Sequence, residues 1–282
     1  MEFARNEMSG HQDLGRLPLG RVPLILMYHG VQQVADDPYQ LCVTPERFSE
    51  QMRWLAERGL RGVSIDALVE AMRAGKERAL VGISFDDGYA SVLENAVPEL
   101  LRNEFTATMF IVSGLLGGTN EWDGETVWPL MSAQQVADVA AAGMEIGSHS
   151  VTHTHLPALG AQQLRAEISE SRSRLSELLS RPIRGFAYPY GDMDSSTRHA
   201  VRDAGYDYAC SVVTPVADLG IMALPRIIFG QRDGSAGMTA KRIFFRGHIA
   251  AKGAKMAINN TPLAQGVKRR LSVTGPSPGR EG

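Results

Sequence analysis

The run Ala79-Leu80-Val81-Gly82-Ile83-Ser84-Phe85-Asp86-Asp87-Gly88 is an apolar stretch that leads straight into two adjacent carboxylates. A short apolar run bounded by turn residues reads as a buried strand. In α/β folds the place where such a strand gives way to a loop is where chemistry collects. Two neighbouring aspartates repel each other unless positive charge sits beside them, and a divalent metal meets that need. An Asp-Asp-Gly turn ahead of the next helix is the competing structural reading, and these residues alone do not separate the two.

Working outward, the same alternation recurs. Upstream, Val22–Gly30 is an apolar run closed by Tyr28-His29-Gly30. Thr44-Pro45 is a helix start, with Thr as N-cap and Pro in the first turn, followed by Phe48, Met52 and Leu55 at helical spacing. Residues 61–65 read as a strand, and Asp66 as the cap of a helix carrying Leu68, Val69 and Met72. Downstream, helical periods over 89–103, 132–142, 160–179 and 195–204 alternate with strand runs over 106–112, 144–148, 183–188, 206–210 and 224–229. Pro98 is expected to kink the first of these helices. Trp122 and Trp128 lie in the longest interruption, residues 114–128, and read as cover for the core before a stacking platform. Repeated strand–helix alternation of this kind predicts an α/β fold, a closed or nearly closed β/α barrel.

Composition bounds the protein class. A chain of 282 residues with 44% hydrophobic residues suits one large or two small soluble domains. The two cysteines, Cys42 and Cys210, give no disulfide framework and no thiolate metal cluster. No run of apolar residues is long enough to span a membrane, and Glu2, Glu7 and Asp13 interrupt the first twenty residues, so no ordinary secretory signal is read there. The expected compartment is the cytoplasm, with export by another route as the alternative. Residues 1–20 read as a loose arm, 21–237 as the barrel, and 238–282 as a basic, partly helical extension. From Lys241 onward nine Lys or Arg face one acid, Glu281, a charge that suits an anionic surface or equally a solvated tail. Without a recognition module or interleaved stacking residues, nucleic acid is not an expected partner.

The second chemical cluster is Glu145-Ile146-Gly147-Ser148-His149-Ser150-Val151-Thr152-His153-Thr154-His155. Three of the chain's seven histidines fall within it. Histidines four apart can face one way on a helical turn or an extended segment, and neutral imidazoles are good zinc ligands. His149 and His153 with one carboxylate make a His₂-Asp set that leaves a position open. The second carboxylate is then available as a base for an attacking water. The two acids and two histidines divide into three ligands and one base.

On these residues the sequence resembles the polysaccharide deacetylase family, metal-dependent carbohydrate esterases with the NodB homology domain. The family's Thr/Ser-Phe-Asp-Asp-Gly motif matches Ser84–Gly88, and its His-Ser/Thr-x-x-His motif matches His149–His153. The resemblance covers residues 22–229 and implies a distorted (β/α)₇, TIM-like barrel. It implies Asp86 as general base and Asp87, His149 and His153 as ligands of a divalent metal, zinc first, with cobalt, nickel or manganese as substitutes. His155 is the internal rival as a ligand.

Two departures from the family pattern need replacements. Phe186-Ala187-Tyr188-Pro189-Tyr190-Gly191 keeps the Pro-Tyr-Gly of the third motif without its arginine, a form similar to the branch acting on poly-N-acetylglucosamine exopolysaccharides. Arg226 is the expected substitute cation for Asp86. The late Leu-x-His motif is absent in recognisable form. Tyr28-His29-Gly30 resembles the opening motif of the same branch, so His29 is the expected acid for the leaving amine, ahead of His248; imidazole titrates near neutrality and can deliver a proton there. A backbone N–H near Tyr190 is expected to hold the oxyanion. The implied reaction is metal-dependent hydrolysis of an N-acetyl group on an amino-sugar glycan. The alternatives are the same chemistry on an O-acetyl ester, a peptidoglycan sugar or a cyclic amide or imide, and a carbohydrate-binding protein without catalysis.

Overall fold

One five-residue segment closes the fold. Leu224–Pro225 pairs with one strand of a parallel sheet and Ile227–Ile228 with another, so the chain changes partners at Arg226. The computed structural model describes residues 17, 21–124, 127–212, 219–245 and 247. Its strands are β1 (Ile25–Tyr28), β2 (Gly30–Val31), β3 (Cys42–Val43), β4 (Arg61–Val63), β5 (Leu80–Phe85), β6 (Thr108–Ile111), β7 (Glu145–Ser148), β8 (Gly185–Ala187), β9 (Tyr208–Ser211), β10 (Leu224–Pro225) and β11 (Ile227–Ile228). The main sheet runs β10-β9-β8-β7-β6-β5-β1-β11, with β4 added beside the first half of β5. Every pairing in it is parallel. Because β10 and β11 are consecutive, this order bends into a nearly closed, distorted barrel, and all its C-terminal strand ends face one rim. The 224–229 strand read from sequence is thus two short strands with a break at Arg226.

The helices wrap the barrel: α1 (Pro45–Ala56), α2 (Ile65–Arg73), α3 (Val97–Arg102), α4 (Ala133–Ala141), α5 (Ala161–Leu179) and α6 (Ser195–Asp203). Thr44 caps α1 by accepting from Arg47 N, and Phe48, Met52 and Leu55 form its buried stripe. The cap of α2 is Ser64, which accepts from Ala67 N. Asp66, the residue expected there, lies in the first turn and pairs instead with Arg184 at 2.9 Å. Around Pro98 the chain forms a π-helical turn at Val92–Ala96 before α3, because proline at the second position of α3 interrupts the hydrogen-bond ladder.

The barrel is filled by buried side chains, with Tyr28, Phe48, Phe85 and Phe229 meeting as an aromatic group under the β1–β5 end. Each such burial stabilises by roughly 1.5–3 kcal/mol. Tyr208 lies inside against β8, where only glycine fits: a Cβ on Gly185 would stand 2.1 Å from the Tyr208 hydroxyl. Cys42 and Cys210 are free and buried. Leu17, placed by sequence in a loose arm, is buried and donates from its backbone to Leu219 O. Trp122 and Trp128 pack partly buried on the core. No helix among the described residues is long and apolar enough to cross a membrane. A helical stretch runs over 235–245; His248 and most of the basic extension lie outside the described residues.

Candidate metal centre

The rim at the C-terminal strand ends collects the site. His29 follows β1, Asp86 and Asp87 follow β5, His149 follows β7, Tyr190 follows β8, and Arg226 sits between β10 and β11. Asp86 N donates to Tyr28 O at 2.9 Å, and His149 N to Ile111 O at 2.9 Å, so the ladders fix both residues as they leave the sheet.

Asp87, His149 and His153 each offer a ligand atom within 4.8 Å of the others, and all three residues are buried. Asp87 Oδ1 lies 3.4 Å from His149 Nε2 and 3.3 Å from His153 Nε2. Buried as it is, that oxygen has no hydrogen-bond partner. Donors bound about 2.0–2.1 Å from a four-coordinate ion stand roughly 3.3–3.4 Å apart. The spacing therefore fits a divalent ion, which would satisfy the orphaned oxygen. His149 Nδ1 contacts Ala187 O at 2.8 Å. A carbonyl only accepts, so the ring proton belongs on Nδ1 and the Nε2 lone pair points at the site.

Burial works against charge on Asp87, but the two imidazoles outweigh it and hold the carboxyl well below the usual range. Burial likewise opposes charge on Asp86, and the Arg226 guanidinium, then His149, bring its carboxyl down. Arg226 meets Asp86 as a fork, Nη1 to Oδ1 at 2.5 Å and Nη2 to Oδ2 at 2.7 Å, and Nη1 also reaches Ser84 Oγ at 3.2 Å. Two carboxylates and one guanidinium leave a net charge of −1, which favours a cation. His29 is half-buried and close enough to both aspartates to stabilise their charge.

The backbone between the two histidine ligands is neither a helical turn nor extended. Asp87, Ser150, His153 and Tyr190 have φ of 70°, 66°, 59° and 58°, half of the eight non-glycine residues with positive φ among the described residues. Such conformations cost of order 1–3 kcal/mol each and persist only where surroundings enforce them. His155 stays outside the cluster: its ring stacks on Tyr190 at 3.9 Å and its Nδ1 lies 3.5 Å from Asp192 Oδ2 at the surface. Trp122, read as core cover, also stacks on His153 with 4.4 Å between ring centroids. Sequence carried no sign of that contact, since it depends on how the 114–128 loop folds back.

The family described as polysaccharide deacetylase matches residues 73–209. That span includes Asp86, Asp87, His149, His153 and Tyr190, and leaves out His29 and Arg226. The poly-β-1,6-N-acetyl-D-glucosamine N-deacetylase of Staphylococcus epidermidis is 27% identical over 203 residues, 66% of this chain and 67% of its own. Among solved structures, IcaB from Ammonifex degensii superposes with a TM-score of 0.66 at 24% identity, covering 77% of this chain and 95% of that one. The Streptococcus pyogenes deacetylase PplD, solved with acetate, has the same TM-score at 21% identity, covering 77% and 96%.

Proposed function

This chain belongs to the polysaccharide deacetylase family, and from that premise we propose that it hydrolyses N-acetyl groups on an amino-sugar glycan, releasing acetate. The observation that carries the reading is the convergence of Asp87, His149 and His153 on one buried point, with a second carboxylate, Asp86, beside it. The choice of an amide on N-acetylglucosamine rests on the Staphylococcus epidermidis relative, which is named for that bond.

A divalent ion held by Asp87, His149 and His153, zinc by the imidazole-rich donor set, would supply Lewis-acid polarisation of the acetyl carbonyl and lower the pKa of a water. Asp86 takes the proton from the attacking water. Its oxygens retain lone pairs beyond the two used by Arg226, and the fork fixes the plane in which they point. Arg226 also keeps Asp86 anionic in a buried setting that would otherwise favour the neutral acid.

The Tyr188–Asp192 turn presents backbone donors to the same rim. The backbone N–H at Tyr190, within this turn, is the donor assigned to the carbonyl oxygen as charge develops. His29, across the site from that turn, delivers a proton to the departing amine.

Acetate release from N-acetylglucosamine oligomers, O-acetylated glycans and cyclic amides, with metal-loaded and metal-stripped protein, tests the proposal. Metal-dependent release that grows with glucosamine-chain length is expected. Turnover of only an ester or cyclic amide would overturn the substrate and leave the metal site standing.

A further inference from the structure

The loop that carries the second histidine ligand is clamped from two sides, and one clamp lies outside the family's motifs. On the sheet side, Ser113 N donates to Ser150 O at 3.1 Å and Gly114 N to Val151 O at 2.9 Å. Gly114 is obligatory for this approach, because a Cβ there would stand 2.5 Å from Val151 O. On the helix side, Glu167 of α5 reaches over the loop with both carboxylate oxygens. Val151 N and Thr152 N donate to its Oε2 at 2.9 and 3.0 Å, and Thr152 Oγ1 donates to its Oε1 at 2.8 Å.

These contacts bracket the two strained residues. Ser150 and His153 have left-handed backbones, and the peptide groups that Glu167 holds, Val151 and Thr152, lie between them. Ser150 Oγ accepts from His153 N at 3.0 Å, so the turn is tied internally as well. Left to itself a chain of L-residues relaxes from two such conformations so close together. Relaxation would carry His153 Nε2 away from Asp87 Oδ1 and His149 Nε2.

We infer that Glu167 is a positioning residue for the metal site: its carboxylate latches the 150–153 loop and thereby sets the affinity for the divalent ion. The inference rests on the reading of Asp87, His149 and His153 as metal ligands. Glu167 binds Val151 N, Thr152 N and Thr152 Oγ1 and acts through backbone geometry. Partners that orient ligands in this way commonly matter ten- to a hundred-fold in metal affinity.

The chemistry of the latch makes a sharp control. In Glu167→Gln the amide oxygen still accepts from both N–H groups, and the amide nitrogen donates to Thr152 Oγ1, so all three bonds survive without the charge. Glu167→Ala removes all three.

The experiment is a titration of Zn²⁺ into metal-stripped full-length protein against a competing chelating indicator, paired with the visible absorption spectrum of the Co²⁺ form. Glu167→Ala is expected to bind Zn²⁺ roughly 10–100-fold more weakly than wild type and to shift the Co²⁺ bands, with Glu167→Gln within a few-fold of wild type. A folded Glu167→Ala protein with wild-type affinity overturns the inference, and so does a glutamine variant that weakens as much as the alanine variant. If the alanine variant does not fold, Glu167→Asp serves, since it keeps the charge and withdraws the carboxylate by one methylene; wild-type affinity in that variant overturns the inference. A wild-type chain that takes up no ion overturns the metal reading itself, a result distinct from failure of the latch.

Discussion

Arg226 and Asp86 lie 140 positions apart in the chain and meet as a buried two-bond fork under the metal centre. The contact is made possible by the partner change at Arg226, which directs the side chain into the barrel between β10 and β11. Removing one member of a buried pair strands the other and costs about 3–5 kcal/mol. Arg226→Ala is therefore expected to lower stability by that amount in urea unfolding. In protein that still folds, burial would dominate at Asp86 and raise its pKa, so the acid limb of the pH–rate profile should move to higher pH. An unchanged limb would remove Arg226 from the mechanism.

Asp86 is expected to separate chemistry from metal binding. It is absent from the ligand group, so Asp86→Asn should retain bound metal while losing about 10²–10⁴ in kcat. Metal analysis alongside acetate-release kinetics checks both halves. Full activity in this variant would leave the reaction without its base.

The ion itself is expected to stabilise the fold, because the three ligand atoms are brought together only in the native state. At a Zn²⁺ concentration one hundred times Kd the gain is about 2.7 kcal/mol, a melting rise of about 5–10 °C for a domain of this size. Chelator should reverse it and abolish activity together. His153→Ala should show neither the rise nor the activity, and a wild-type melting curve indifferent to every divalent ion tried would exclude the site.

His29 is expected to affect turnover and spare the metal. It stands after β1, half-buried, with influence on both aspartates but no place among the ligands. His29→Ala should lower kcat with wild-type metal content. Substrates with better leaving groups should recover most of the loss, since they need no proton on departure. Equal losses on good and poor leaving groups would point away from a general acid.

Much of this arrangement is legible in the chain because strands buried on both faces write themselves as short apolar runs, and the helices between them keep a 3.6-residue period. Asp86, Asp87 and His149 stand out because ionisable residues directly follow such runs, and His153 by its four-residue spacing from His149. The closure at 224–228 is hidden, because one short strand-like run does not reveal that its halves on either side of Arg226 pair with different strands. Glu167 is hidden for another reason. It lies on the polar side of α5 among Gln163, Arg165 and Glu170, where any acid looks solvent-facing until the 150–153 loop folds against it.

The opposite end of the barrel provides the last expectation, a dependence of stability on pH. Glu145 begins β7 and accepts from Tyr208 OH at 2.6 Å, Thr108 Oγ1 at 2.5 Å and Asp66 N at 2.9 Å. Burial outweighs these three donors and pushes its carboxyl up from 4.5 to about 7. The folded protein thus holds this proton where the unfolded chain has released it, so the proton-linked contribution is complete below pH 4.5 and is lost as pH rises through about 7. Allowing for the surface Glu145 retains, the loss amounts to about 2–3 kcal/mol. Glutamine at this position stays neutral at every pH and cannot lose that contribution. The stability of Glu145→Gln minus that of wild type should therefore climb between pH 5 and pH 8 in urea titrations at matched ionic strength. A flat difference would mean that the three donors win over burial and that Glu145 is ionised throughout this range.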